Sequence, residues 1–197
     1  PFLVFLILTL RQKRSSKKRS FYNRIGLLVS SLYLLTTFFL KASAFSQFEA
    51  ALKNQHIDYL KIDTRPAPLN TVLWSANVET EQAFLLGNYS FFDTQPITFE
   101  SYPKNHELLG GLIENESVQR MIAITENWYT ITKKNDQLYF NDLRFGTLSM
   151  APKSQNFVFQ YKIELDPTGN INFTEVEKDT SDGKKLLTEL WNRIKGN

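Results

Sequence analysis

The stretch IGLLVSSLYLLTTFFL, residues 25–40, contains no charged side chain and decides how the rest of the chain is organised. Lys41 can extend its amine toward the polar headgroups, so the apolar stretch continues to Phe45. It then approaches the length of about 20 residues that a helix needs to cross a bilayer. The pattern predicts a transmembrane helix over residues 25–45, with the lipid bilayer as its partner.

The segment RQKRSSKKRS, residues 11–20, precedes this helix and holds six of the chain's 23 Lys and Arg residues without one acid. Residues 1–48 carry eight basic residues and no acid, which leaves 15 basic and 20 acidic residues from Glu49 onward. The chain is therefore basic only at its start. The acidic remainder would repel a phosphate backbone, so we expect no nucleic-acid partner.

The first ten residues, PFLVFLILTL, are also uncharged and predict the end of an earlier transmembrane helix. The order apolar, basic, apolar fits a signal peptide less well. A short basic loop between two spans lies on the cytoplasmic side by the positive-inside rule. We therefore predict a membrane region at 1–45, with a cytoplasmic loop at 11–24, and an extracytoplasmic domain after it. A start at Pro1 suggests that a longer protein has been cut.

The remaining residues, 46–197, predict one soluble α+β domain with an antiparallel sheet and helices packed on one face. FSQFEAALKNQ has the spacing of an amphipathic helix continuing from the membrane span. We expect a further helix around residues 106–125, broken at its glycines and restarted at Ser117, and a last helix after Ser181. Alternating segments predict six or seven strands in a single sheet: HIDYLKI, SANVET, AFLLGNYSFFD, WYTITKK, QLYFNDLRFG, NFVFQYKIEL and INFTEVE.

Motifs for metal binding or catalysis are sparse. His56 and His106 stand 50 positions apart, without the spacing of a metal pair, so no metal site is predicted in these residues. The absence of cysteine excludes disulfides and Cys-based zinc sites in this sequence. No nucleophile elbow or phosphate-binding glycine loop occurs. Acidic pairs such as Glu79 and Glu81 stand beside turns, where solvated carboxylates are expected.

Three stretches carry candidate substrate or anion-binding residues, although a structural role is favoured for each. TRPAPLNTVLW presents a stiff loop with cationic and amide groups, FESYPKN precedes a predicted helix whose N–H groups can receive an anion, and NDLRFG puts an acid and a base two apart on a strand. The structural alternatives are strand termination by proline, helix capping and an ion pair at a sheet edge. The candidates are Arg65, Asn70, Tyr102, Lys104, Asn105, Asp142 and Arg144.

In this order, the basic loop, the last membrane span and the motifs RPAPLNTVLW, GNYSFFD, YPKN and NDLRFG resemble the C-terminal half of the YdjM-like family of bacterial membrane-bound metal-dependent hydrolases. The resemblance implies a multi-pass protein of the bacterial inner membrane. It implies a divalent metal for the full-length protein, held by His and Asp residues of an N-terminal half outside this sequence. No catalytic residue is carried over to the present positions, and no metal is expected in this fragment.

Two functions follow as alternatives. In the first, the domain completes a hydrolase of unknown substrate by covering a membrane-embedded metal site, and Arg65, Lys104 or Arg144 binds an anionic lipid or phosphate-containing substrate. In the second, the domain is a non-catalytic extracytoplasmic module that binds a protein or an envelope component.

Overall fold

A computed structural model of the chain describes residues 2–68, 70–149, 154–166, 170–178 and 183–196. The backbone divides into two compact units, Pro1–Ala44 and Phe45–Asn197. The first unit is helical, and the second contains all eight described strands.

The first unit contains helix α1 (Phe2–Leu10) and most of helix α2 (Lys17–Asn54). The two helices approach closely at Gly26, where an added Cβ would lie 2.7 Å from the Cβ of Phe5. Residues 17–24 of the predicted loop at 11–24 are helical and belong to α2. Lys and Arg are good helix formers, so the second half of the basic run, from Lys17, can join the helix that follows it.

Helix α2 exposes large apolar side chains around its circumference in the first unit. Leu28 and Phe38 are each 69% exposed, and Phe39 is 75% exposed. Among the residues that the structure describes, α2 is the one helix long and apolar enough to cross a membrane.

The last turns of α2 belong to the second unit and contribute to its core. Phe48 and Leu52 are fully buried, and the Phe48 ring packs edge-on against Tyr89 at 6.1 Å between ring centroids. This agrees with the predicted amphipathic continuation of the helix. The helix ends in a Schellman motif, in which the N–H of Ile57 donates to the carbonyl of Leu52 at 3.0 Å and His56 has a φ of 57°.

The first antiparallel sheet follows in chain order, each strand pairing with the next. Pro66 ends an edge strand, where a missing N–H costs no ladder hydrogen bond. Gly87 lies opposite Phe99, whose ring occupies the space a side chain at Gly87 would need. The strands are β1 (Lys61–Pro66), β2 (Leu73–Glu79), β3 (Ala83–Ser90) and β4 (Phe99–Pro103).

The second sheet has the same sequential antiparallel order. Asn135 and Asp136 join its first two strands with φ values of 49° and 61°, the left-handed pair that a tight type I′ turn requires. The pairing of its second and third strands shifts register between Asp142 and Thr147. The strands are β5 (Tyr129–Lys134), β6 (Gln137–Thr147), β7 (Phe157–Leu165) and β8 (Ile171–Glu175).

A 3₁₀ segment (His106–Glu114) and helix α3 (Glu116–Ile124) cover one face of the second sheet. Gly110, with a φ of 49°, breaks the segment, as predicted. Helix α3 is capped by Asn115, whose side chain accepts the N–H of Ser117 at 2.9 Å, so the predicted cap at Ser117 is wrong by two residues. The buried residues of this layer are Leu109, Val118, Tyr129, Ile131, Phe140, Ile163 and Ile171.

The last helix, α4 (Gly183–Ile194), matches the predicted C-terminal helix, while its predicted cap Ser181 lies outside the described residues. The α+β class is confirmed, but the strands form two sheets of four rather than one sheet of six or seven. The helical segment between β4 and β5 separates the two groups of strands. Strand β4 was missed because FESYP is short and ends in proline.

Candidate functional site

Three of the seven candidate residues come together where the first sheet meets β6. The guanidinium of Arg65 donates from Nη1 to the main-chain carbonyl of Arg144 at 2.8 Å and from Nε to the carboxylate of Asp63 at 2.8 Å. Arg65 is 40% exposed, so water reaches part of its guanidinium.

Arg144 forms a fork-to-fork pair with Asp142. Its Nη2 donates to Asp142 Oδ2 at 2.7 Å and its Nε to Oδ1 at 3.1 Å, and its main-chain N–H donates to Oδ1 at 2.9 Å. Asp142 is buried, and the Arg144 side chain is 19% exposed. The hydrogen bond to Asp142 raises the pKa of Arg144, and burial opposes that rise. The pair stands at the start of the register shift between β6 and β7.

Asn77 completes this contact and was not anticipated from the sequence. Its side-chain N–H donates to the carbonyl of Leu143 at 2.8 Å, so β2 and β6 are tied beside the Arg65 contact. A signal was present in SANVET, because Asn is depleted in strands and a buried Asn needs a hydrogen-bond partner. We name the five residues Asp63, Arg65, Asn77, Asp142 and Arg144 the inter-sheet cluster.

Lys104 has a separate environment at the end of β4. Its amine lies 2.8 Å from the Glu79 carboxylate and 5.1 Å from the centre of the Phe84 ring. Its main-chain carbonyl accepts the N–H of Ile131 at 3.1 Å. Lys104 therefore joins the end of the first sheet to the start of the second.

Tyr102 points into the domain. Its hydroxyl lies 3.0 Å from the main-chain carbonyl of Ser154 and 3.1 Å from the Glu100 carboxylate. Burial, followed by the charge of Glu100, raises the pKa of Tyr102. A phenol held protonated in this way is a hydrogen-bond donor rather than a base at neutral pH.

The two asparagines stabilise backbone turns. Asn70 Oδ1 accepts the N–H groups of Val72 and Leu73 at 3.0 and 2.8 Å, as expected of a residue that caps the turn into β2. Asn105 adopts the left-handed conformation with a φ of 51°, and its amide donates to the carbonyl of Ile131 at 3.0 Å. Its side chain therefore faces the second sheet rather than capping the helical segment.

The histidines also have structural positions. The ring of His106 stacks on Tyr129 at 4.0 Å between centroids, and its Nε2 lies 3.0 Å from the Tyr129 carbonyl. Burial lowers the pKa of His106 and outweighs the opposing hydrogen bond. His56 is exposed at the end of α2. Within the described ranges, no group of three or more His, Asp or Glu residues is placed to hold a metal ion.

An open cleft of about 370 Å³ lies between Asp58–Leu60 and Thr80–Gln82, and the carbonyl of Gln82 accepts the main-chain N–H of Lys104 at 3.0 Å. Carboxylates of Asp58 and Glu81 border it, and it contains none of the seven candidates. The predicted cations Arg65, Lys104 and Arg144 are therefore not among the residues that line this cleft.

The geometry favours a structural role for the candidate cations. Arg65, Lys104 and Arg144 each lie against a carboxylate, from Asp63, Glu79 and Asp142 respectively. An incoming phosphate would have to displace that carboxylate before it could take the charge-assisted hydrogen bonds.

No protein family model, curated protein or solved structure matches this chain. The resemblance to the YdjM-like hydrolases therefore rests on the sequence motifs alone.

Proposed function

We propose that the chain is part of a membrane-anchored bacterial protein whose second unit is an extracytoplasmic, non-catalytic binding domain. The observation that carries this proposal is the exposed apolar surface of α2. A soluble helix buries an apolar stripe against its own protein, whereas α2 presents Leu28, Phe38 and Phe39 to its surroundings. A bilayer would cover these side chains.

The charge distribution supports the direction of insertion. Six basic residues precede or begin α2, and no acid occurs before Glu49. The positive-inside rule then assigns this end of the helix to the cytoplasm and the sheets to the opposite side of the inner membrane.

The non-catalytic assignment draws on the contacts of the candidate residues. Each candidate cation is paired, both asparagines stabilise turns, and Tyr102 is a buried donor. These side chains hold the two sheets together or fix their loops, which leaves binding through the domain surface as the favoured role.

Hydrolase activity stays a prediction of the family resemblance. It requires a divalent metal in the full-length protein, held by upstream residues. Stoichiometric metal that is lost when upstream histidines are substituted would support the enzyme and contradict a purely binding role. A folded, metal-free full-length protein would support the binding role.

The anchoring and orientation can be tested with single cysteines, because the chain has no native cysteine. Ser15→Cys labels the basic loop, and Gln95→Cys labels an exposed loop after β3. In intact spheroplasts, a membrane-impermeant maleimide should react at position 95 and reach position 15 only after permeabilisation. The cysteine-free chain is the control. Reaction at position 15 alone would reverse the orientation, and extraction of the chain by alkaline carbonate would contradict the anchoring.

A further inference from the structure

Helix α4 has one side fixed to the first sheet. The guanidinium of Arg193 pairs with the Asp93 carboxylate at 2.6 Å and donates to the carbonyl of Asn88 at 2.8 Å. The hydroxyl of Ser90 donates to the carbonyl of Ile194 at 2.6 Å. These contacts hold the C-terminal end of α4 against the end of β3 and determine which side of the helix faces outward.

The outer side carries exposed apolar side chains between two lysines. Leu187 is 66% exposed and Trp191, four residues later, is 59% exposed. Lys184 lies one turn before Leu187 on the same face of the helix, and Lys195 follows the last helical residue, one turn after Trp191. The amine of Lys195 lies 5.4 Å from the centre of the Trp191 ring. We call these four residues and the exposed Lys185 the α4 face.

The composition of the α4 face matches an anionic lipid surface. Tryptophan combines a large apolar ring with an N–H donor and is enriched at the membrane–water boundary. Lysines beside exposed Leu and Trp are typical of helices that lie in the interface, where the amines attract lipid phosphates. From Glu49 onward the chain has 15 basic and 20 acidic residues, so the α4 face is a basic patch on an acidic domain.

We propose that the α4 face binds the surface of a bilayer that contains anionic phospholipids. The inference rests on the proposed membrane anchoring, which keeps the domain near a bilayer. It adds a second, reversible contact made by Leu187 and Trp191 with the acyl boundary and by Lys184, Lys185 and Lys195 with the headgroup phosphates.

The tryptophans provide a direct measurement on the full chain. Trp74 and Trp128 are each 2% exposed, so an aqueous quencher reports mainly on Trp191. The chain is incorporated into nanodiscs of phosphatidylcholine alone or with about one third phosphatidylglycerol, and quenching by acrylamide, which is neutral and is not repelled by anionic lipid, is compared. We expect quenching to fall at least threefold in the anionic discs. Brominated acyl chains in those discs should quench the same emission.

Matched variants separate the α4 face from general charge effects. Replacing Lys184, Lys185 and Lys195 with Gln should remove the effect of phosphatidylglycerol. The control removes the same charge elsewhere, with Arg120, Lys133 and Lys134 replaced by Gln, and should retain it. Trp191→Phe should abolish the acrylamide-sensitive signal, while the buried tryptophans report that each variant is folded.

Equal acrylamide access to Trp191 in both kinds of disc would overturn the inference, as would an identical response from both charge variants. Protection from acrylamide without quenching by brominated lipid would indicate a protein occupant, such as a second copy, and would also overturn it. Failure of the anchoring is distinguishable, because the chain would then elute apart from the discs.

Discussion

Arg65 binds the main-chain carbonyl of Arg144 across the two sheets, at 2.8 Å and over 79 positions of sequence. Next to it, Asn77 binds the carbonyl of Leu143. Both acceptors belong to the backbone of β6 at its register shift, where a carbonyl is released from regular pairing. Two side chains of the first sheet thus satisfy backbone acceptors of the second.

Replacing Arg144 with Ala should destabilise the domain far more than replacing Arg65 with Ala. The first change leaves the buried Asp142 carboxylate without its cation, and breaking such a pair costs about 3 kcal/mol. Loss of the partly exposed Arg65 side chain should lower the free energy of unfolding by about 1 kcal/mol or less. Thermal unfolding of the full chain in detergent, followed by tryptophan emission, compares the two. Unchanged stability of Arg144→Ala would contradict the structural role of the pair.

Substitution of Gly87 by Ala should destabilise the first sheet by about 1–3 kcal/mol. An added Cβ would stand 2.8 Å from the ring of Phe99 on the neighbouring strand. Gly111→Ala is the matched control, since no atom lies within 4 Å of a Cβ there. Chemical denaturation measures the stability of both variants. Equal denaturation midpoints would contradict the close contact of Gly87 in β3 with Phe99 in β4.

Asn115→Ala should cost about 1 kcal/mol through loss of the cap on α3. The side chain of Asn115 accepts the N–H of Ser117, whereas a sequence-based choice would have put the cap at Ser117 itself. Ser117→Ala should therefore leave the free energy of unfolding nearly unchanged. The two single variants are compared by urea unfolding, and a larger loss for Ser117→Ala would restore the sequence-based assignment.

Lowering the pH should reduce the free energy of unfolding of the domain because of His106. Burial lowers its pKa in the folded state, so below the ordinary value of about 6.5 the unfolded chain binds more protons than the folded chain. The stabilisation is complete above that pH and is lost progressively as the pH falls from it through the lowered pKa of the folded state. His106→Phe keeps a ring against Tyr129 and should have a flatter stability profile between pH 7.5 and 5. His56→Asn, at the exposed end of α2, is the control and should follow the parent chain.

Arg193→Ala should free the C-terminal end of α4 from the first sheet. The change removes the pair with Asp93 and the hydrogen bond to Asn88. We expect at least a tenfold faster tryptic cleavage after Lys184 and Lys185, because proteases cut helices that open locally. Lys195→Ala, which lies outside these contacts, is the control. Cleavage at the parent rate in Arg193→Ala would show that other contacts hold the helix.

Local patterns predicted much of the fold. Alternation identified segments of seven of the eight strands, and the helical spacing identified the last turns of α2, the region of α3 and helix α4. The division into two sheets was not predictable in this way, since alternation shows that a strand has two faces but not which strand pairs with it. FESYP gave too few residues to show a period, and HIDYLKI overlaps the strand Lys61–Pro66 only at its end.

For the candidate residues, the sequence indicated local interactions better than long-range contacts. The spacing of Asp142 and Arg144 correctly suggested an ion pair, because partners two apart on a strand share a face. It could not show that Arg65 reaches Arg144 or that Lys104 pairs with Glu79, contacts that depend on long-range packing. Asn77 was missed for the same reason.

The strictly sequential pairing of β1–β4 and of β5–β8 also affects how the domain can be made. Each sheet closes with neighbours in the chain, so little loop entropy is lost before its hydrogen bonds form. A chain synthesised from its amino end could complete the first sheet while the second is still unsynthesised. The carbonyls of Leu143 and Arg144 would then bind to a first sheet that has already folded. The two sheets of the domain would therefore form in the order of their synthesis.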